Sequence, residues 1–179
     1  MTKMRKHQEQ YERMKRWYER IKKIDQGRPH NLPSDYYCDE VYAFFVNCYH
    51  LKDWIINDDT VKKSEKGEKG GKVEDFINQN GCMRICADIC NGIKHVKKSK
   101  DPRKPPRSDE DPEFGARKLS LNLGGGPEPV ITVKFSIETK TGTIDAFELA
   151  SECVRKWEEF IKDNINRPNG NDKLMEVIN

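Results

Sequence analysis

The 179-residue chain is 35% hydrophobic and 35% charged, with a formal net charge of +3 and a mean hydropathy of −0.94. This is length for one domain with a single core and polar insertions, and no run approaches the ~20 apolar residues of a membrane helix. The N-terminus lacks the apolar segment of a signal peptide, so a cytoplasmic protein with no membrane partner is expected.

Taken in order, residues 3–25 show helical period, with Tyr11, Met14, Trp17, Tyr18, Ile21 and Ile24 at three- and four-residue steps. Gly27, Arg28 and Pro29 end that helix, and Asn31-Leu32-Pro33 makes a turn. Ser34 is placed to cap a second helix that reaches Asn57. Its broad apolar face comprises Val41, Phe44, Phe45, Cys48, Leu51, Trp54 and Ile55. Asn47, His50 and Asp53 border that face and fit solvent-facing or satisfied polar residues. Residues 58–72 are almost devoid of apolar side chains and read as a flexible low-complexity loop. A short helix over Val73–Asn80 ends at Gly81.

The stretch from Gly81 to Lys98 reads as one buried helix and the centre of the fold. Ile85, Ile89 and Ile93 form one row at four-residue spacing, and Cys82, Cys86 and Cys90 form another beside it. After a proline- and charge-rich loop over residues 100–115, the period changes to two. Ala116–Leu123 and Val130–Glu138 read as strands joined through Gly124-Gly125-Gly126. A last helix starts at Asp145 and reaches Asn164, with Phe147, Leu149, Ala150, Cys153, Val154, Trp157, Phe160 and Ile161 inward. Residues 165–179 read as a fraying tail. The expected fold is mainly α: one domain over residues 1–164, an antiparallel bundle of about four main helices with a small antiparallel β-hairpin between the last two.

Six cysteines in a cytoplasmic chain are expected as free thiols, and none lies in a CxxC pair. The Cys82–Cys86–Cys90 ladder spans ~12 Å of helix axis, too far for one tetrahedral ion, so these thiols read as small core residues. Neither a metal nor a cofactor is expected. Charge is uneven along the chain. Residues 1–23 hold nine Lys/Arg against three Glu, and residues 94–107 hold seven Lys/Arg against one Asp. Such blocks bind phosphates or simply solvate a surface. Lys94, Lys97, Lys98, Arg103 and Lys104 are the candidate nucleic-acid contacts. His95 and Asn91, four residues apart on one helix face, are the candidate catalytic pair. An imidazole there can move a proton while the amide holds a phosphate or carbonyl oxygen. A histidine at a helix C-terminus also serves by capping carbonyls.

The segment Cys90-Asn91-Gly92-Ile93-Lys94-His95, late in the third main helix, resembles the motif of the HEPN-like helical bundles: an Arg, a polar residue that is often Asn, and a His a few residues on. Tyr49–Trp54 and Arg84–Asp88 look like the corresponding helices of uncharacterised bacterial members, and the likeness spans about residues 35–160. The resemblance implies metal-independent RNA cleavage at a composite site across a homodimer, with His95 as acid/base and Asn91 as positioning group. Cys90 stands where the Arg would be, and a thiol supplies neither fixed charge nor bidentate phosphate contact. Bundles of this kind also act as noncatalytic modules. The expected function is therefore a noncatalytic HEPN-like bundle binding nucleic acid or a protein partner. A ribonuclease using His95 and Asn91, of the defence or toxin type, and a structural oligomerisation domain are the alternatives.

Overall fold

A computed structural model of the chain describes residues 5–29, 32–94, 106–108, 110–122 and 130–165. The protein is mainly helical with a small antiparallel sheet. The helices are α1 (Lys6–Gln26), α2 (Ser34–Ile56), α3 (Lys63–Lys66), α4 (Gly71–Gln79), α5 (Gly81–Lys94) and α6 (Ala146–Asn164). The strands are β1 (Arg28–Pro29), β2 (Glu113–Asn122), β3 (Val130–Thr139) and β4 (Gly142–Asp145). Among the described residues, no helix is long and apolar enough to cross a membrane.

The apolar periods direct the packing. Met14, Ile21 and Ile24 of α1, Phe44, Phe45, Cys48, Leu51 and Ile55 of α2, and Leu149, Cys153 and Trp157 of α6 are all buried. α5 lies among α2, α4 and α6 and buries Cys82, Met83, Ile85, Cys86, Ala87, Ile89 and Cys90. So many inward residues on one short helix require neighbours on several sides, and α2, α4 and α6 supply them.

The sheet is larger than a hairpin. β3 pairs with β2 along one edge, from Glu113↔Glu138 to Asn122↔Val130. Its other edge carries β1 at one end (Pro29↔Val130) and β4 at the other (Thr139↔Gly142). Ile131, Val133, Phe135 and Ile137 alternate inward on β3, against α1 and α6. Between the Phe114↔Ile137 and Arg117↔Phe135 pairs, one β3 residue (Ser136) opposes two in β2 (Gly115 and Ala116), a bulge that bends the edge strand. Asp145 ends β4 and caps α6: its Oδ1 accepts from the backbone N–H of Phe147 (2.8 Å) and Glu148 (3.1 Å).

Three local readings differ from the sequence expectation. First, α2 begins at Ser34 itself, with Pro33 in the cap position and no side-chain cap bond. Second, Gly81 opens α5 instead of ending α4, and only Asn80 separates the two helices. Third, residues 58–72 carry structure: a turn of helix, α3, and a 3₁₀ turn over Glu68–Gly70 that leads into α4. Several of their polar groups are held by hydrogen bonds. Lys66 Nζ donates to the carbonyls of Ile56 (2.8 Å) and Asp58 (2.9 Å), Glu65 accepts from the backbone N–H of Lys62 (2.8 Å), and Val61 is buried.

Gly70 closes this segment against α2. Its φ is +82°, and a Cβ there would stand 2.6 Å from Ile56 Cγ1. Both backbone strain and overlap penalise a side chain, so Gly70→Ala should lower unfolding free energy by about 1–3 kcal/mol in urea titrations. Gly71→Ala is the matched control. Gly71 has helical backbone angles, and its Cβ would meet nothing within 4 Å. It should match or slightly exceed the wild type.

Candidate functional site

The polar residues that gather on the bundle come from α2, α4, α5 and the 106–108 segment. Glu74 of α4 sits at the centre. Its Oε1 accepts from Lys52 Nζ at 2.8 Å, and its Oε2 pairs with Arg107 Nη2 at 2.8 Å. Arg107 Nη1 also donates to Asn78 Oδ1 at 3.0 Å. Both cations lie over the Tyr49 ring, Lys52 Nζ at 5.0 Å and Arg107 Cζ at 5.7 Å from its centroid. Burial opposes ionisation of Glu74, but hydrogen bonds from Lys52 and Arg107 outweigh it and hold the carboxyl below its ordinary range. Burial raises the Tyr49 hydroxyl, and the neighbouring Arg107 and Lys52 charges offset only part of that rise.

Asp88 on α5 pins the same segment by its backbone. Its Oδ1 accepts from Arg107 N–H at 2.8 Å, and its Oδ2 accepts from Ser108 N–H (2.7 Å) and Oγ–H (2.6 Å). The chain that leaves α5 at Lys94 therefore returns to α5 at Asp88, six residues or ~9 Å earlier along the helix axis. Lys52 and Arg107 are committed to Glu74, so this cluster is an anchor that fixes the returning chain.

The predicted site residues divide as follows. Asn91 is exposed near the end of α5, as is Gly92. Lys94 is the last residue of α5. His95, Lys97, Lys98, Arg103 and Lys104 lie outside the described residues. Cys90 is only 4% exposed, and its sulfur is 3.9 Å from His50 Nε2. Successive helix residues are rotated by ~100°, which turns position 90 inward and position 91 outward. The place where the resemblance calls for an arginine thus faces the core. The nearby arginine on the described surface is Arg107, brought in from later in the chain. Tyr49, whose ring lies under its guanidinium, and Lys52, which shares Glu74 with it, lie in the α2 segment singled out from sequence, but no local signal joins them to Glu74 or Asp88.

All six cysteines are buried thiols outside disulfides. The Cys82–Cys86–Cys90 row does not converge, as its spacing requires. Instead Cys86 meets Cys48 of α2 and Cys153 of α6, and the three Sγ atoms lie within 4.8 Å of one another. Among the described residues these are the groups that could hold a soft metal ion.

Comparison of the chain with protein-family models, with curated proteins and with solved structures finds no match.

Proposed function

We propose that the protein is a noncatalytic HEPN-like bundle that binds single-stranded RNA at the C-terminal end of α5. The observation that carries this reading is the double attachment of the basic segment to one helix. The segment leaves α5 at Lys94, beside exposed Asn91, and is fastened back at Arg107 and Ser108 through Asp88. Residues 95–105 contain Lys97, Lys98, Lys100, Arg103 and Lys104 against Asp101 alone. The described residues on either side, Lys94 at the end of α5 and Arg107 bonded to Asp88 of α5, bracket these five cations in sequence with one helix, a pattern suited to phosphate binding. Burial of Cys90 supports the noncatalytic form, because the position that would present a phosphate-binding arginine is turned into the core.

The test is RNA binding across a salt series. Neutralising Lys97, Lys98, Arg103 and Lys104 together to Gln should weaken binding at least tenfold. It should also flatten the log–log salt slope by up to ~2.8, about 0.7 per phosphate contact. Unchanged affinity and slope would remove the nucleic-acid reading. RNA cleavage by the wild type that disappears in His95→Ala would replace it with the ribonuclease reading.

A further inference from the structure

We propose that Cys48, Cys86 and Cys153 form a three-sulfur site for a soft monovalent metal ion, with Cu(I) as the representative ion. The three residues come from three helices, and all are fully buried. Their sulfurs lie within 4.8 Å of one another. Metal–thiolate bonds of ~2.3 Å in a trigonal plane need sulfurs ~4.0 Å apart, so a contraction of less than ~1 Å closes the site. Rotation about the cysteine side-chain bonds supplies a shift of that size without moving a helix.

The donor set selects the ion. Among the described residues the cluster holds three thiols and no carboxylate or imidazole, a set that disfavours hard cations and favours thiophilic ones. Zn(II) takes four ligands in structural sites, and the mutually close set holds three. Cu(I) is satisfied by three sulfurs. A monovalent ion also brings less charge into the apolar core than a divalent one, and charge there is costly.

The surroundings also supply a route inward. His50 is exposed, and its Nε2 is 3.9 Å from Cys90 Sγ. Cys90 follows Cys86 by one helical turn, ~6 Å along α5. An imidazole and a thiol therefore stand between solvent and the buried cluster, both of them ligands that Cu(I) accepts.

The test uses the full chain, reduced and handled without oxygen, titrated with Cu(I) against a competing Cu(I) chelator. The expected results are one retained ion per chain and three sulfur neighbours by X-ray absorption. Cys86→Ala and Cys153→Ala, each checked for folding by circular dichroism, should lose the retained ion. Cys38→Ala, which removes a thiol outside the cluster, should keep it. If both cluster variants fail to fold, the wild-type coordination decides: three sulfurs uphold the site, and any other environment overturns it. Failure of the wild type to retain Cu(I), retention by either folded cluster variant, or tighter retention of Zn(II) also overturns it.

Discussion

Replacing Asp58 by alanine should destabilise the protein by about 3–5 kcal/mol at pH 7, a large fraction of the stability of a domain this size. Asp58 and His7 are each 1% exposed and 51 residues apart in sequence. Asp58 Oδ2 accepts from His7 Nδ1–H at 2.8 Å and from the His7 backbone N–H at 3.0 Å. Its Oδ1 accepts from Thr60 N–H at 2.9 Å and Thr60 Oγ–H at 2.7 Å. One carboxylate thus satisfies the N-terminal turn of α1 and the turn after α2. Alanine leaves the His7 donors buried without an acceptor.

The pH dependence follows from the same contacts. Burial opposes ionisation of Asp58, but hydrogen bonds from His7 and Thr60 prevail and hold its carboxyl far below the ordinary range. A depressed folded-state pKa contributes stability that is full above the unfolded value, ~3.9, and is lost as pH falls through the folded one. Urea unfolding between pH 7 and pH 3 should show wild-type stability falling toward that of Asp58→Asn. A loss below about 1 kcal/mol for Asp58→Ala at pH 7 would contradict this account, since that is the size of an ordinary substitution.

Trp157→Ala is expected to be of similar severity, about 3–5 kcal/mol, for a different reason. The Trp157 side chain is fully buried, packs on Phe76 and Phe160 with ring centroids 4.9 and 5.9 Å away, and donates its indole N–H to the Cys48 carbonyl at 3.1 Å. Truncation leaves a void where α2, α4 and α6 meet. Trp157→Phe retains most of the packing. The Cys48 carbonyl keeps its place in the α2 hydrogen-bond ladder, so the lost indole bond itself contributes only about 0.5–1.5 kcal/mol. A phenylalanine variant as unstable as the alanine variant, in urea titrations at pH 7, would show that the hydrogen bond and not the packing dominates.

These two residues illustrate what can be read along a chain. Trp157 belongs to an apolar stripe, and its inward position on α6 follows from the 3.6-residue period. The same holds for the inward faces of α1 and α2 and for the alternation of β3. The Asp145 cap is equally local, a short side chain two and three residues before the N–H groups it receives. Asp58 gives no such sign. It opens a stretch of lysines, glutamates and glycines, and nothing nearby distinguishes it from a solvated acid.

The candidate site divides along the same line. Exposure of Asn91 beside burial of Cys90 is a property of one helix and is contained in its wheel. The clamp on Glu74 joins residues 52, 74 and 107, and the Asp88 anchor reaches 19 and 20 residues ahead. Likewise, spacing correctly separates Cys82, Cys86 and Cys90 along α5, yet cannot report that Cys86 meets Cys48 and Cys153. Periodicity records which side of an element faces the core, because that depends on neighbours in sequence. Which side chains then touch depends on how α2, α5 and α6 cross, and those crossings are settled by packing summed over all the faces at once.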